Sequence, residues 1–327
     1  MSSKRLTTSS DFPRLSCPRP LCPSLKEGPN SRRIIRFGSF YRKSDRRRIE
    51  RFFCPGCSRT FSRATPHPCF GQNKRQINGR LFRLFSANVS LRESARILKV
   101  HRKTVARKLK FLGAQARLEH PRQLSRFQTL RKEQGKSPFP DFVQMDELET
   151  IEHTKCKPLS VPLMVDAETR LILGVKVCSM PAKGLLAAIS RKKYGPREDQ
   201  RPEALDELLR DVARWLEPQG EGLRIRSDSC PRYPAPIAKH FPKARHEMEI
   251  SRRSSVAGQG ELKKIVWDPL FSLNHTCAMF RAHVSRLIRK TWCTTKKPAA
   301  LMDHLMIYAV SHNERILRRL IQAQANA

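Results

Sequence analysis

The sequence predicts an α+β chain of several units: a small cysteine-rich ribbon, a pair of short helices, and an α/β domain on a mixed five-stranded sheet. Three observations carry this. Two cysteine pairs, Cys17/Cys22 and Cys54/Cys57, flank alternating basic and apolar segments. Apolar positions at helical spacing follow over residues 90 to 113, and from residue 141 the pattern turns to strands.

Charge narrows the partner class. The chain carries 65 Lys and Arg against 29 Asp and Glu, a net of +36. A charge of that size repels itself unless a polyanion is near, which points to nucleic acid. Residues 1 to 140 hold 34 basic and 7 acidic side chains, and the remainder holds 31 and 22. The front is therefore expected to bind, and the back to do something else. No run of 18 apolar residues occurs, and the opening "MSSKRLTTSS" leads into no apolar stretch, so a cytoplasmic, DNA-associated protein with no membrane partner is expected. In that compartment the ten cysteines read as metal ligands or buried thiols rather than disulfides.

After a basic tail over 1–14, residues 15–72 read as a zinc ribbon. Tetrahedral Zn2+ needs four soft ligands converging on one point, and "SCPRPLCP" with "FFCPGCSRTFS" supplies Cys17, Cys22, Cys54 and Cys57 on two turns. The segments "RRIIRFGSF" and "RRRIERFF" between them form the hairpin. So small a unit depends on its metal for stability. Arg32, Arg33, Arg36, Arg47 and Arg48 on those strands can contact phosphates. His67 and Cys69 read as bystanders, since four cysteines close the shell.

Residues 77–115 read as a helix-turn-helix. Ser90 with Glu93 three residues later makes a capping box, followed by Leu91, Ala95, Ile97 and Leu98 on one face. A break at Val100 leads to a second helix with Val105, Leu109 and Leu112 inward and Gly113 as C-cap. Arg102, Lys103, Thr104 and Arg107 would then face DNA. Residues 116–140 read as a linker ending at a proline-bounded turn.

Residues 141–316 form the second large unit, with 317–327 as a C-terminal tail. "DFVQMDELETI", "LSVPLMVDAET" and "RLILGVKVCSM" read as three consecutive strands, and "EALDELLRDVARWLEP" as a crossover helix. The strand "LRIRSDS", the segment "ARHEMEI" and a helix over "LNHTCAMFRAHVSRLIRK" complete the order of an RNase H-like fold. There the first and fourth strands are parallel neighbours. Their ends would bring Asp146 and Asp228 together as a hard-oxygen site for Mg2+ or Mn2+. An Asp after an apolar strand is ordinarily a turn or surface residue; the topologically matched pair sets these two apart.

From about Cys17 to His312 the chain resembles bacterial insertion-sequence transposases of the zinc-ribbon plus DDE type. The resemblance rests on "MDE" at 145–147, "SDSCPRY" at 227–233 and "NHTCAMFRAHVSRLIRKTW" at 274–292. It implies Mg-dependent cleavage and strand transfer at inverted-repeat DNA ends by in-line attack, with Asp146 and Asp228 as catalytic metal ligands. The third ligand, a Glu in most of the family, is Asn274 here, whose carbonyl can still ligate Mg2+. Asp268 is the alternative third ligand, Glu261 a remoter one. Arg281, seven positions on, with Arg289 and Lys290, would hold phosphates; Lys155 and Lys157 are weaker choices. Glu147 points to the opposite side of its strand, and Glu247 and Glu249 fit a solvated strand face. Two DNA ends imply at least a homodimer when synapsed.

A different class of reading is a DNA-binding regulator or decayed transposase with a merely structural back domain, which Asn274 favours. An RNA-binding ribbon is opposed by the lack of an evident aromatic platform, aromatics being 7% of the chain.

Overall fold

The computed structural model describes residues 15–25, 34–43, 46–216, 222–250, 268–288 and 294–326. The chain divides into two compact units, Met1–Ile77 and Asn78–Ala327.

The first unit is a three-stranded antiparallel sheet in the order β1 (Ile35–Arg42), β2 (Arg47–Cys54), β3 (Arg59–Phe61). The expected hairpin is β1 and β2, and β3 is a further strand. It is only three residues long, too short for alternation to reveal. Its Phe61 packs with Phe52 and the cysteines in the unit's small core.

The second unit begins with α1 (Asn78–Phe85), α2 (Leu91–Ile97) and α3 (Arg102–Glu133). Ser90 caps α2 by accepting from the Glu93 N–H at 3.1 Å. The reciprocal half of the expected capping box does not form, because the Glu93 carboxylate pairs with Arg96 at 3.2 Å. Leu91, Ala95 and Leu98 are at least half-buried, whereas Ile97 is 53% exposed, its position lying off the i, i+4, i+7 stripe.

Helix α3 departs most from expectation. It does not stop at Gly113, and residues 116–133 are helix rather than linker. The chain continues because each further turn buries something: Ala116, His120, Leu124, Phe127 and Leu130 follow at three- and four-residue spacing. Pro121 removes one helix donor, a loss the buried flanking turns offset. Gly113 serves close packing, not termination. A Cβ there would lie 2.5 Å from Oδ1 of Asp303, which itself pairs with Arg117 at 2.8 Å.

Asp303 belongs to α8 (Pro298–Ala325), which packs along α3. The expected tail from residue 317 is thus helix, with Leu317 fully buried and Ile321 packed on the core. Buried polar groups pin α8 to its surroundings. Asn313 bonds both the N–H and the C=O of Ile172 at 2.9 Å, and Gln123 of α3 donates to the Val310 carbonyl at 3.0 Å.

The main sheet contains β4 (Phe142–Glu152), β5 (Thr154–Asp166), β6 (Ile172–Val175), β7 (Cys178–Ser179), β8 (Arg224–Asp228) and β9 (Arg245–Glu249). Its order is β6-β5-β4-β8-β9, with β7 also on β5, so the expected five strands become six. The third expected strand divides, and both pieces pair antiparallel with β5. Strands β4 and β8 run parallel, as do β8 and β9. The crossover is α4 (Leu186–Tyr194), unforeseen, and α5 (Arg201–Leu216), foreseen; α6 (Pro234–His240) follows β8, and α7 (Phe271–His283) precedes α8.

Alternation divides the sheet's work between its faces. Val143 and Met145 of β4, Met164 of β5 and Ile225 of β8 pack with Leu205, Leu208, Leu209 and Val212 of α5 and Phe127 of α3. The intervening residues, Gln144 and Asp146 on β4 and Arg226 and Asp228 on β8, take the other face.

Gly113→Ala tests the α3–α8 contact. Alanine favours helix by about 1 kcal/mol over glycine, yet here the added methyl should cost a net 1–3 kcal/mol or so by forcing Asp303 outward. Urea denaturation would show the midpoint fall, while Gly79→Ala on open α1, with nothing within 4 Å of the new Cβ, should hold or raise it.

Candidate functional site

Two sets of side chains have the chemistry to bind cations. In the first unit, the Sγ atoms of Cys17, Cys22, Cys54 and Cys57 all lie within 4.8 Å of one another. Cys17 and Cys57 are 3.7 Å apart and Cys22 and Cys54 are 3.6 Å apart. A tetrahedron with Zn–S arms of ~2.3 Å has edges of ~3.8 Å, so the four sulfurs fit a zinc ion. Burial pushes the Cys17 thiol up to about 12 and raises Cys54 too, but at Cys54 hydrogen bonds from the Ser24 hydroxyl, the Cys57 N–H, the Cys22 thiol and the Gly56 N–H outweigh it and bring that thiol down to about 6. That favours the thiolate a metal requires. His67 and Cys69 stay outside the cluster, with the Cys69 N–H donating to His67 Nδ1 at 3.0 Å.

In the second unit, Gln144 of β4 pairs with Arg226 of β8, and Asp146 and Asp228 each lie two residues further on. Alternation therefore puts the two carboxylates on one face, just beyond the last paired residues of β4 and β8. Burial pushes the Asp146 carboxyl up to about 6, and the negative charges of Asp228 and Glu147 add to this. The Glu147 N–H at 2.6 Å and the Tyr233 hydroxyl at 3.2 Å donate to Asp146 Oδ1 and partly offset it. Asp228 Oδ1 accepts from the Cys230 N–H at 3.1 Å. Burial and these carboxylates hold the Tyr233 phenol far above its ordinary range, so it remains a donor.

Gln144 also fixes the neighbouring helix. Its amide donates to the Pro269 carbonyl at 2.9 Å and its Oε1 accepts from the Leu273 N–H at 3.0 Å; Arg226 reaches the same Pro269 carbonyl at 3.4 Å. The start of α7 is thus tied to the sheet one strand period before the aspartates. Asn274 and Asp268 sit on this segment, and Asn274 Nδ2 donates to Asp268 Oδ2 at 2.7 Å. Among the described residues, Asp146, Asp228 and Asp268 do not converge as the cysteines do. Arg281 is seven residues along α7 from Asn274, on nearly the same face and partly exposed.

Other expected residues lie elsewhere. Arg102, Lys103 and Arg107 are exposed on the first turns of α3. Arg289, Lys290, Glu261, Arg32 and Arg33 lie outside the described residues. Glu147 accepts from Ser160 at 2.7 Å and Arg232 at 3.2 Å, away from the aspartate face. Glu247 and Glu249, expected on a solvated strand face, are instead half-buried and pair with Arg226 at 2.7 and 3.4 Å on the aspartates' own face, because Met248 takes the exposed side. Lys157 rests over the Tyr194 ring at 4.6 Å. Tyr233, Arg232 and Gln144 received no role from the sequence; "SDSCPRY" contains the first two, but only the fold aims them at β4.

No described protein family matches the chain, and no curated protein does. Among solved structures it aligns with a pre-cleavage Mos1 transpososome at 12% identity, over 76% of this chain and 80% of that one, with a TM-score of 0.25. The Mos1 strand transfer complex aligns at 11% identity over 76% and 79%, with a TM-score of 0.24. Scores of that size fall below what a shared fold gives. The chain's class accordingly rests on its own geometry: a mixed α+β protein with a cluster of four cysteines and a pair of carboxylates on adjacent parallel strands. Among the described residues no helix is long and apolar enough to cross a membrane.

Elemental analysis should find about one zinc per chain, lost in Cys54→Ser together with hydrogen-exchange protection of β1 to β3. A metal-free protein with those strands still protected would refute the site. The aspartate pair makes a separate prediction. Because Asp146 is raised above its usual 3.8 to about 6, its protonated form stabilises the fold at low pH, and that stability is lost as pH rises through 6. Without divalent cation, Asp146→Asn should therefore raise stability at pH 8 by about 1–2 kcal/mol. The gain should shrink toward pH 5, and Mg2+ should stabilise the wild type alone.

Proposed function

We propose that this chain is a DNA transposase of the zinc-ribbon plus DDE type, carrying Asn in place of the third acid. It binds inverted-repeat ends with its ribbon and its α2–α3 helix-turn-helix, then cleaves and joins strands at the Asp146/Asp228 site. The observation that carries this is the carboxylate pair itself. Asp146 within β4 and Asp228 at the end of β8 lie on one face of adjacent parallel strands, the first raised to about 6 by burial and its neighbour's charge. A divalent cation relieves that repulsion, and hard oxygen donors suit Mg2+ or Mn2+. The sheet order, with three antiparallel strands followed by two parallel ones, supports the RNase H-like reading.

Cations bound there would activate the attacking water or 3′ hydroxyl and stabilise the leaving oxygen. The chain's own groups then have defined tasks. Tyr233 and the Glu147 N–H hold one oxygen of Asp146 and leave the other for metal. Asp268 takes the amide NH2 of Asn274, so the Asn274 carbonyl is the atom available as third ligand and Asp268 is the residue that orients it. Arg281 is placed to hold a phosphate along α7, and Arg289 and Lys290 continue that role in the sequence. Arg102, Lys103 and Arg107 are exposed on α3, as contact with DNA requires. Synapsis of two ends makes the working form a homodimer at least, acting on DNA in the bacterial cytoplasm.

One observation favours a second reading. The amide at 274 replaces a charge most of the family retains, which suits a DNA-binding regulator or decayed transposase. Cleavage of a labelled fragment bearing the element's own end decides between them. Asp146→Ala and Asp228→Ala should each lower Mg2+-dependent cutting by about 100-fold or more while binding persists. Asn274→Ala should match them, and Asp268→Ala should lose less. A wild type that binds but never cuts would establish the regulator.

A further inference from the structure

The ribbon presents a surface that neither the zinc site nor the aspartate pair uses. Strand β1 carries a bulge: Arg36 pairs with Phe52, but the next pairing is Ser39 with Glu50, so β1 advances three residues against two on β2. Gly38, at φ 72°, occupies the bulge, a backbone conformation that other residues adopt only with strain. The extra residue has a consequence for the side chains. In an unbroken strand Phe37 and Phe40 would point to opposite faces; the bulge turns both to one.

That face is aromatic, basic and open. Ile35 is 52% exposed, Phe37 51% and Phe40 44%. Phe53, across from Ile35, has its ring 5.8 Å from Phe37, and Arg51 lies over the Phe37 ring at 5.3 Å. Arg47 stands on the same face of β2, two and four residues before Ile49 and Arg51 in the alternation. The carboxylate of Glu50 is on the opposite face, paired with Arg36 at 3.0 Å. Exposed rings interleaved with arginines, with no acid among the strand residues beside them, match the two halves of a nucleotide: base to ring, phosphate to guanidinium. Duplex DNA offers the phosphates but not the base faces.

We propose that this face of the ribbon binds single-stranded DNA by stacking unpaired bases on Phe37, Phe40 and Phe53, with Arg47 and Arg51 on the backbone. The sequence hides this platform because its aromatics are few and, counted by alternation, lie on different faces. Stacking carries no preference between DNA and RNA; the assignment to DNA rests on the proposed function.

The test is fluorescence anisotropy of the full-length, zinc-loaded protein with labelled dT12, a duplex of the same length and rU12. Phe37→Ala and Phe40→Ala should each weaken dT12 binding roughly 5- to 100-fold, the loss of one stacked base, with duplex affinity held within about 2-fold. Tyr41→Ala, on the opposite face, should alter neither, and unchanged zinc content shows that each variant keeps its fold. The proposal is overturned if the Phe variants bind dT12 as the Tyr41 variant does, if duplex binding falls in parallel, or if rU12 binds far more tightly than dT12. The cleavage assay is independent: its failure with the dT12 result intact would remove the transposase reading and leave the stacking face standing.

Discussion

Three backbone pairs between two parallel strands, β4 and β8, govern the second unit. The residues that pair come from segments about eighty positions apart, joined by a crossover through β5, β6, β7 and two helices. Their register decides what each face carries. With Gln144 opposite Arg226, apolar Val143 and Ile225 enter the core, and Asp146 and Asp228 lie on the other side, near enough for one charge to act on the other. A slip of one residue would exchange these roles, burying the carboxylates in a hydrocarbon layer at prohibitive cost. Stability of the core and juxtaposition of the acids are thus two results of one pairing.

The same pairing extends to α7 through Gln144, whose amide satisfies both a carbonyl and an N–H at the start of that helix. Behind the sheet, α3 and α8 form a long helical pair, and several of their buried polar residues end on backbone groups. His304 and His312 are pushed down to about 4 by burial and remain neutral, each placing Nε2 at 2.9 Å from a carbonyl, of Phe85 and Arg170 respectively. These contacts tie the N-terminal helices of the unit, the β5–β6 turn and α8 into one body. The helix that begins with the exposed Arg102 and Lys103 is therefore continuous with the scaffold of the aspartate site, with no linker between them.

The ribbon obeys different physics. Its core is little more than two phenylalanines and the cysteines, too small to fold by apolar burial alone. A metal held by the four cysteines would substitute for a core and free the strand surface from packing duty. That freedom explains why large rings can stand exposed on β1: nothing in the unit's own stability requires them inside.

Local chemistry was legible in the sequence. The cysteine pairs, the Ser90 cap, the crossover helix and the strand order were readable because each depends on residues within one or two turns, or on ligand types with few other uses. Asp146 and Asp228 were singled out because strand order implies which ends are neighbours. Tertiary contact decided the rest. Gly113 reads as a terminator from its neighbours, but its meaning comes from Asp303, nearly two hundred residues on. Residues 116–133 look polar and proline-broken in sequence, yet become helix because α8 and the sheet bury one side of them. Phe37 and Phe40 share a face only through a bulge, and Asn274 is oriented by Asp268 only once α7 is anchored to β4. Periodicity records what a segment can bury; what it meets there is set by distant residues, which no local pattern encodes.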